Sequence, residues 1–369
     1  MKAVNQAGLV QEIQETPRLP VRWLQQTASA MKASPLNLAV TIVVTLLLAR
    51  CAWSFISWGV INAVWDTDAT ACAALNGHGA CWSVVTAKFR YILFGSYPFE
   101  QQWRPAVGVA AFIVATLLSS RSELWGKALF VMWACVLVLF FALMSGGIFG
   151  LEFVPPDKWG GLPLTLALSI VGVLAALPLG IALALGRRSP VRSLRTICIV
   201  YIETVRGVPL ITVLFMSSIM LPLFLPAGMV IGGLERAMIA IVLFTAAYVA
   251  EVIRGGLQLV PTGQFEAAAS LGLGYWKTTS LIVLPQALRI VIPPLVNTFI
   301  EVFKDTTLVI IVGLFDLLNT TRTSILEITW RPYYVEAYLF AGMIYFFFCF
   351  YMSHISLLVE RRLAKTGRH

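Results

Sequence analysis

Six ionisable residues stand inside sequence that is otherwise apolar. Glu203-x-x-Arg206-Gly207 and Glu251-x-x-Arg254-Gly255 repeat one five-residue pattern, and Glu301 stands three residues ahead of Lys304. An acid and a base three apart on a helix can pair on one face. Ionisable groups held in a bilayer are costly and usually face a cavity, a pathway or one another. Glu203, Arg206 and Arg254 are therefore expected to line the inner mouth of a pathway and hold it shut, or else to anchor helix ends. Gly207, Val208 and Pro209 should break a helix, and backbone N–H groups freed at such a break can hold a carboxylate. Glu251 and Glu301 can hold an ammonium group, with Tyr248, Asn297 and Thr298 as hydrogen-bonding neighbours, although Glu301 could instead pair with Lys304. All of this is binding and gating chemistry. No His cluster, nucleophile elbow or metal-ligand spacing accompanies it.

Positioning these residues requires a membrane fold. Of 369 residues, 59% are hydrophobic and 12% charged, with mean hydropathy +0.83, whereas soluble proteins carry about 25% charged residues. The pattern implies an all-α polytopic membrane protein. Eight spans are expected, near 35–60, 104–119, 128–149, 162–186, 196–222, 234–253, 290–303 and 335–358. Residues 304–331 read as helical pieces at the outer face, and 66–102 as a long polar excursion. Arg50, within the first span, either snorkels or faces a partner helix. Pro178 and Pro293-Pro294 are expected kinks, and Trp65, Trp82, Trp103, Trp159 and Trp330 an interfacial belt.

The net charge of +9 reflects Lys and Arg in short loops beside apolar spans, which is the positive-inside pattern and not a nucleic-acid signature. Placing the basic segments inside needs an even number of spans and puts both termini in the cytoplasm, as tails 1–34 and 361–369. The first tail, with Glu12, Glu15 and two prolines, lacks the apolar core of a signal peptide and can lie on the membrane through Trp23. Cys51, Cys135, Cys198 and Cys349 read as packing residues. Cys72 and Cys81 share one loop and, if it lies outside, could form a disulfide, although their spacing alone does not specify one.

Between the sixth and seventh spans, residues 261–285 read as two short helices joined by a glycine turn, with Thr262 as an N-cap. Glu266, Ala267 and Ala268 are followed by Gly272, then by Ile282, Leu284 and Pro285, with Gly274 between. This spacing resembles the EAA loop of the membrane-spanning subunits of bacterial ABC importers, without departure. A bland amphipathic surface loop is the competing reading. The resemblance implies that the loop docks into a cleft of a cytoplasmic ATPase subunit. Gly274-Tyr-Trp-Lys277-Thr lacks the second glycine of a phosphate-binding loop, so ATP and Mg²⁺ belong to that partner and this chain carries no cofactor and is not itself an enzyme.

Residues 162–358 resemble the polar amino-acid branch of these permeases. The resemblance rests on Leu164-Thr165-Leu166, the segment from Tyr201 through Glu203 and Arg206 to Leu210, the segment from Ala246 through Glu251 and Arg254 to Gly256, Pro285-Gln286-Ala287 and the segment from Phe303 to Leu308. The Trp159-Gly-Gly-Leu162 run and three additional N-terminal spans are most similar to the M-type subunit of the general L-amino-acid importers. The resemblance implies a type I ABC importer permease core at 160–360 with five helices. It also implies three extra helices and a periplasmic loop at 35–150, and a location in the bacterial inner membrane. It further implies a homologous permease as heterodimer partner, an ATPase dimer, a periplasmic amino-acid-binding protein, and uptake of L-amino acids with broad specificity. A narrower permease for glutamate and glutamine or for basic amino acids is the nearest alternative. An ion-coupled secondary transporter would explain the buried carboxylates but not the EAA spacing, and a membrane enzyme would need motifs that are missing.

Overall fold

The computed structural model describes residues 35–366, apart from 68, 74–76, 122, 124, 125, 149 and 227. The expected N-terminal tail and the last three residues lie outside the described residues. The described chain is helical and forms two compact units, the first of residues up to 64 with 70–81 and the second of the remainder.

The first unit is built on α1 (Pro35–Ile56), which runs into a π turn at Ser57–Ile61. None of the α1 side chains is buried, Arg50 included, as expected of a helix that is apolar all round and meets lipid. Most of the short α2 (Ala69–Ala73) follows. A disulfide joins Cys72 to Cys81 with Cα atoms 5.5 Å apart. The Val64 N–H donates to Ala80 O at 2.9 Å and the Ala80 N–H to Trp58 O at 2.8 Å, which closes the loop on itself.

The second unit holds α3 (Ser83–Phe94), α4 (Trp103–Leu118), α5 (Lys127–Ser145), α6 (Gly161–Arg187), α7 (Arg192–Arg206), α8 (Leu210–Ile219) and α9 (Gly233–Leu259). It continues through α10 (Thr262–Ser270), α11 (Tyr275–Thr278), α12 (Leu284–Ile290), α13 (Ile292–Asp305), α14 (Leu317–Ser324) and α15 (Tyr334–Thr366). Helices α4 and α5 pack in this unit with α6: Phe140 and Met144 share a buried cluster with Leu164 and Leu168. The polar excursion expected at 66–102 contains α3, whose Ile92 is fully buried in the same cluster.

The central pair is α6 against α9. Gly172, Ala176, Gly180 and Ala184 recur every four residues on α6 and are all buried. A Cβ at Gly180 would meet Val249 Cγ1 at 2.5 Å, so glycine there allows the two backbones to approach, the small-residue packing typical of membrane helices. Pro178 lies within α6, which continues past it.

Among the described residues, five helices are long and apolar enough to cross a membrane, or seven if each of two bent pairs counts as one span. The remaining expected span, 104–119, is α4, whose 16 residues reach only ~24 Å against a hydrocarbon layer of ~30 Å. Helices α7 and α8 are bent by 104° at Gly207, Val208 and Pro209, as the glycine and proline anticipate, and the segments before and after the 291 junction by 63°. The tryptophan belt is only partial. Trp65 and Trp103 are exposed, but Trp82, Trp159 and Trp330 are buried among protein side chains, and the Trp159 indole donates to Val154 O at 3.3 Å.

Candidate functional site

The 261–285 loop folds as two helical pieces around a turn. Thr262 is the first residue of α10 rather than its cap: Pro261 precedes the helix and no side chain caps it. Gly272 has φ +71°, a left-handed conformation that glycine adopts without cost. Gly274 is in extended backbone that any residue could adopt. Pro285 does not end the second helix. A π turn at Thr279–Val283 leads without a break into α12, so the helix continues past Pro285, and the wider turn ahead of the proline accommodates its ring and missing N–H. Ala268 is buried, while Glu266, Ala267, Leu271 and Trp276 are exposed, so the loop presents small and apolar side chains outward.

Where α6, α7 and α9 meet, five charges converge. Arg254 grips Glu251 with two bonds, Nε at 2.9 Å from Oε2 and Nη2 on Oε1. Arg187 Nη1 lies 3.3 Å and Arg206 Nη1 3.6 Å from the same Oε2. Arg187 Nη2 reaches Glu203 at 2.9 Å. Three guanidiniums thus face two carboxylates, leaving one positive charge in excess. The expected Glu203–Arg206 pair does not form. Arg206 is the last residue of α7, and its guanidinium turns across to α9, over the Tyr248 ring at 5.6 Å and onto Glu251. All five side chains keep 21–54% of their surface exposed; the bidentate Arg254–Glu251 pair is the strongest of the set, and the single contacts of Arg187 and Arg206 are weaker and open to rearrangement.

Above this cluster a cavity of about 260 Å³ is lined by Leu210, Ile241, Phe244, Thr245, Tyr248, Thr298, Glu301, Val302 and Asp305. Glu301 and Asp305 are four apart on α13 and present two carboxylates beside the hydroxyls of Thr245 and Thr298. Tyr248 adds a phenol, and Leu210, Ile241, Phe244 and Val302 make the rest of the wall apolar.

Residues 176–365 match the family model for the binding-protein-dependent transport system inner membrane component. This chain belongs to that family. It is 46% identical, over 88% of its length and 90% of the relative's, to the inner membrane amino-acid ABC transporter permease protein YhdY of Escherichia coli K12. It is 36% identical, over 94% of both chains, to the glutamate/glutamine/aspartate/asparagine transport system permease protein BztC of Rhodobacter capsulatus. A solved structure described as an amino acid ABC transporter with histidines aligns with a TM-score of 0.49 and 34% identity, over 55% of this chain and 92% of that one.

Of the residues expected to form the pathway of this permease, Tyr248, Thr298 and Glu301 line the cavity. Val208, Pro209 and Asn297 do not, although Leu210, next after the break, does. Glu251 is withdrawn from it, because three arginines occupy its two oxygens. Among the described residues no ion pair joins Glu301 to Lys304. Two residues were not anticipated. Arg187 reads in sequence as a stop signal after the fourth span, yet its place at the helix end on the Glu203 and Arg254 side was the available clue. Asp305 lies one turn beyond Glu301, on the same helix face.

Proposed function

We propose that this chain is one permease subunit of an importer that takes up L-amino acids with broad specificity across a bacterial inner membrane. The observation that carries this reading is the composition of the cavity. Two carboxylates and three hydroxyls, those of Thr245, Tyr248 and Thr298, suit the ammonium group that every amino acid shares, while an apolar wall of Leu210, Ile241, Phe244 and Val302 accepts side chains of many kinds. The names of the two relatives support an amino-acid cargo. The narrower name of the R. capsulatus relative favours acidic amino acids and their amides as a second reading. In support of it, the Arg206 guanidinium lies 5.6 Å over the ring of Tyr248, which lines the cavity.

In this reading a homologous permease completes the pathway as a heterodimer and a periplasmic binding protein delivers the cargo. A cytoplasmic ATPase dimer binds ATP and Mg²⁺ and receives the loop bearing Glu266, Ala267, Ala268, Gly272 and Gly274. The loop follows α9 directly, and α9 carries Glu251 and Arg254. Movement of the docked loop therefore pulls on the charge cluster, whose partly exposed members can exchange partners. Glu203, Arg206, Arg254 and Arg187 hold the inner mouth closed, and differential binding of ATP to the closed ATPase supplies the bias. Both termini and the loop face the cytoplasm, and the Cys72–Cys81 loop faces the oxidising periplasm.

The test is uptake and ATP hydrolysis by the complex purified through this chain, in liposomes, with binding protein and each L-amino acid in turn. Glu301→Gln should lower uptake at least tenfold while binding protein still stimulates hydrolysis. Full uptake by Glu301→Gln and by Asp305→Asn would reject the cavity as the pathway. Stimulation by acidic amino acids and amides alone would select the second reading.

A further inference from the structure

Helix α7 has a surface that neither the cavity nor the charge cluster uses. One side is buried: Cys198 and Ile202 face α6 and α9, so closely that a Cβ on Gly186 would lie 2.6 Å from Cys198 Sγ. The neighbouring side is apolar yet exposed, with Leu194, Ile197 and Val200 each showing 46–66% of their surface. Arg192 and Arg195 stand on the opposite side of the helix from this stripe and are exposed. Neither makes a salt bridge with a described residue. Helices α7 and α8 are bent by 104°, so they cannot both follow the membrane normal. The sequence LITVLFMSSI of α8 contains no charge, whereas α7 carries three arginines and a glutamate. The helix suited to the water–lipid boundary is therefore α7. Its start adjoins the end of α9 that leads into the 261–285 loop, because Arg188 Nη1 donates to Leu257 O at 3.2 Å.

We infer that α7 lies in the interface of the leaflet on the coupling-loop side and seats Arg192 and Arg195 on the headgroups of acidic phospholipids. Its stripe of Leu194, Ile197 and Val200 dips into the acyl region beneath. The stripe is apolar and exposed, as are Ile211, Phe215 and Met216 on α8, and the positive charge of Arg192 and Arg195 complements an anionic headgroup. A basic residue at such a surface contributes a factor of about five in lipid affinity.

The experiment uses the whole complex in nanodiscs of phosphatidylcholine, alone or mixed with phosphatidylglycerol. Phosphatidylglycerol retained per complex is measured by native mass spectrometry. Arg192→Gln with Arg195→Gln should weaken retention about 25-fold, and the corresponding double lysine variant should keep most of it. A fluorophore on Ile197→Cys, in a chain whose exposed Cys51 and Cys135 are serine, should be quenched by lipids with a nitroxide high on the acyl chain. Unchanged retention by the glutamine variant would overturn the proposal. So would an unquenched label that cross-links to the second permease, which would make the stripe a protein interface. Neither readout depends on transport, so a wrong cargo assignment would leave both results interpretable.

Discussion

The two ends of α6 hold polar groups in opposite ways. At its C-terminal end, Arg187 joins a cluster of partly exposed ion pairs that share partners. At its N-terminal end, about 40 Å away by helix length, the polar groups are buried and each has its own bond. Asp316 is fully buried. It accepts from the Asn319 N–H at 3.0 Å and from the Tyr345 hydroxyl at 2.8 Å. The Leu317 N–H donates to Thr165 Oγ1 at 3.0 Å, and Thr320 Oγ1 to Ile92 O at 2.7 Å. These bonds tie α3, α6, α14 and α15 into one block. A buried network with every member satisfied fixes a single arrangement, whereas exposed pairs with interchangeable partners permit several. One end is a fixed frame and the other can rearrange, the asymmetry that the alternating access proposed above would use.

The strongest way to break this contrast is at the frame. Gly161 has φ +63°, and a Cβ there would run into the Leu93 carbonyl, while its N–H donates to Phe315 O at 2.9 Å. Gly161→Ala adds strain to a clash with backbone, and should cost about 3 kcal/mol or more. The readout is loss of the folded complex in a thermal-melting assay, with uptake falling in proportion to folded protein. Asp316→Ala comes next, at about 2–3 kcal/mol, since it leaves the helix α14 start and the Tyr345 hydroxyl without their acceptor.

Asp316 also adds a pH signature. Burial pushes its carboxyl above the usual range, although bonds from Tyr345 and Asn319 oppose this. The folded form therefore binds the proton more tightly than the unfolded form. The contribution from this group is complete below about pH 3.8 and is lost as pH rises through the higher folded value. Melting temperature measured against pH should show this decline in the parent chain and a flatter profile in Asp316→Asn. An unchanged profile would mean that the frame carries no titrating group.

Sequence and structure agree where periodicity or a fixed motif decides the local fold. The long apolar helices follow from hydropathy, the loop from Glu266 to Pro285 from its spacing, and the α7–α8 break from Gly207 and Pro209. The frame was not legible. Its partners, Ile92, Thr165, Asp316, Thr320 and Tyr345, are scattered over more than 250 positions, and only tertiary packing gathers them. Asp316 did carry a local helix-cap signal ahead of α14. In the cluster the sequence identified the residue types and the helix ends but not the pairing. Short-range spacing favours Glu203 with Arg206, yet a guanidinium at a helix terminus is free to choose a carboxylate on the neighbouring helix. Pro285 failed as a stop because a π turn ahead of it changes which N–H groups need partners.

The cluster itself should respond unequally, and this is where the contrast is sharpened. Glu251→Gln removes the acceptor shared by Arg187, Arg206 and Arg254, leaving three guanidiniums to one carboxylate. If the cluster is the inner gate proposed above, repulsion among them should hold it ajar. The expected result is ATP hydrolysis several-fold above the parent chain without binding protein, at a stability cost of only about 1 kcal/mol. Glu203→Gln removes an acid that is 54% exposed and, among the described residues, paired with Arg187 alone, and Arg187 keeps Glu251 at 3.3 Å. Its effect should stay below about 1 kcal/mol, change basal hydrolysis less than twofold, and vanish as salt screens the remaining charges. If instead Glu203→Gln matched Glu251→Gln at every ionic strength, the five charges would act as one cooperative lock. The rearranging end would then be as single-minded as the frame, differing only in exposure.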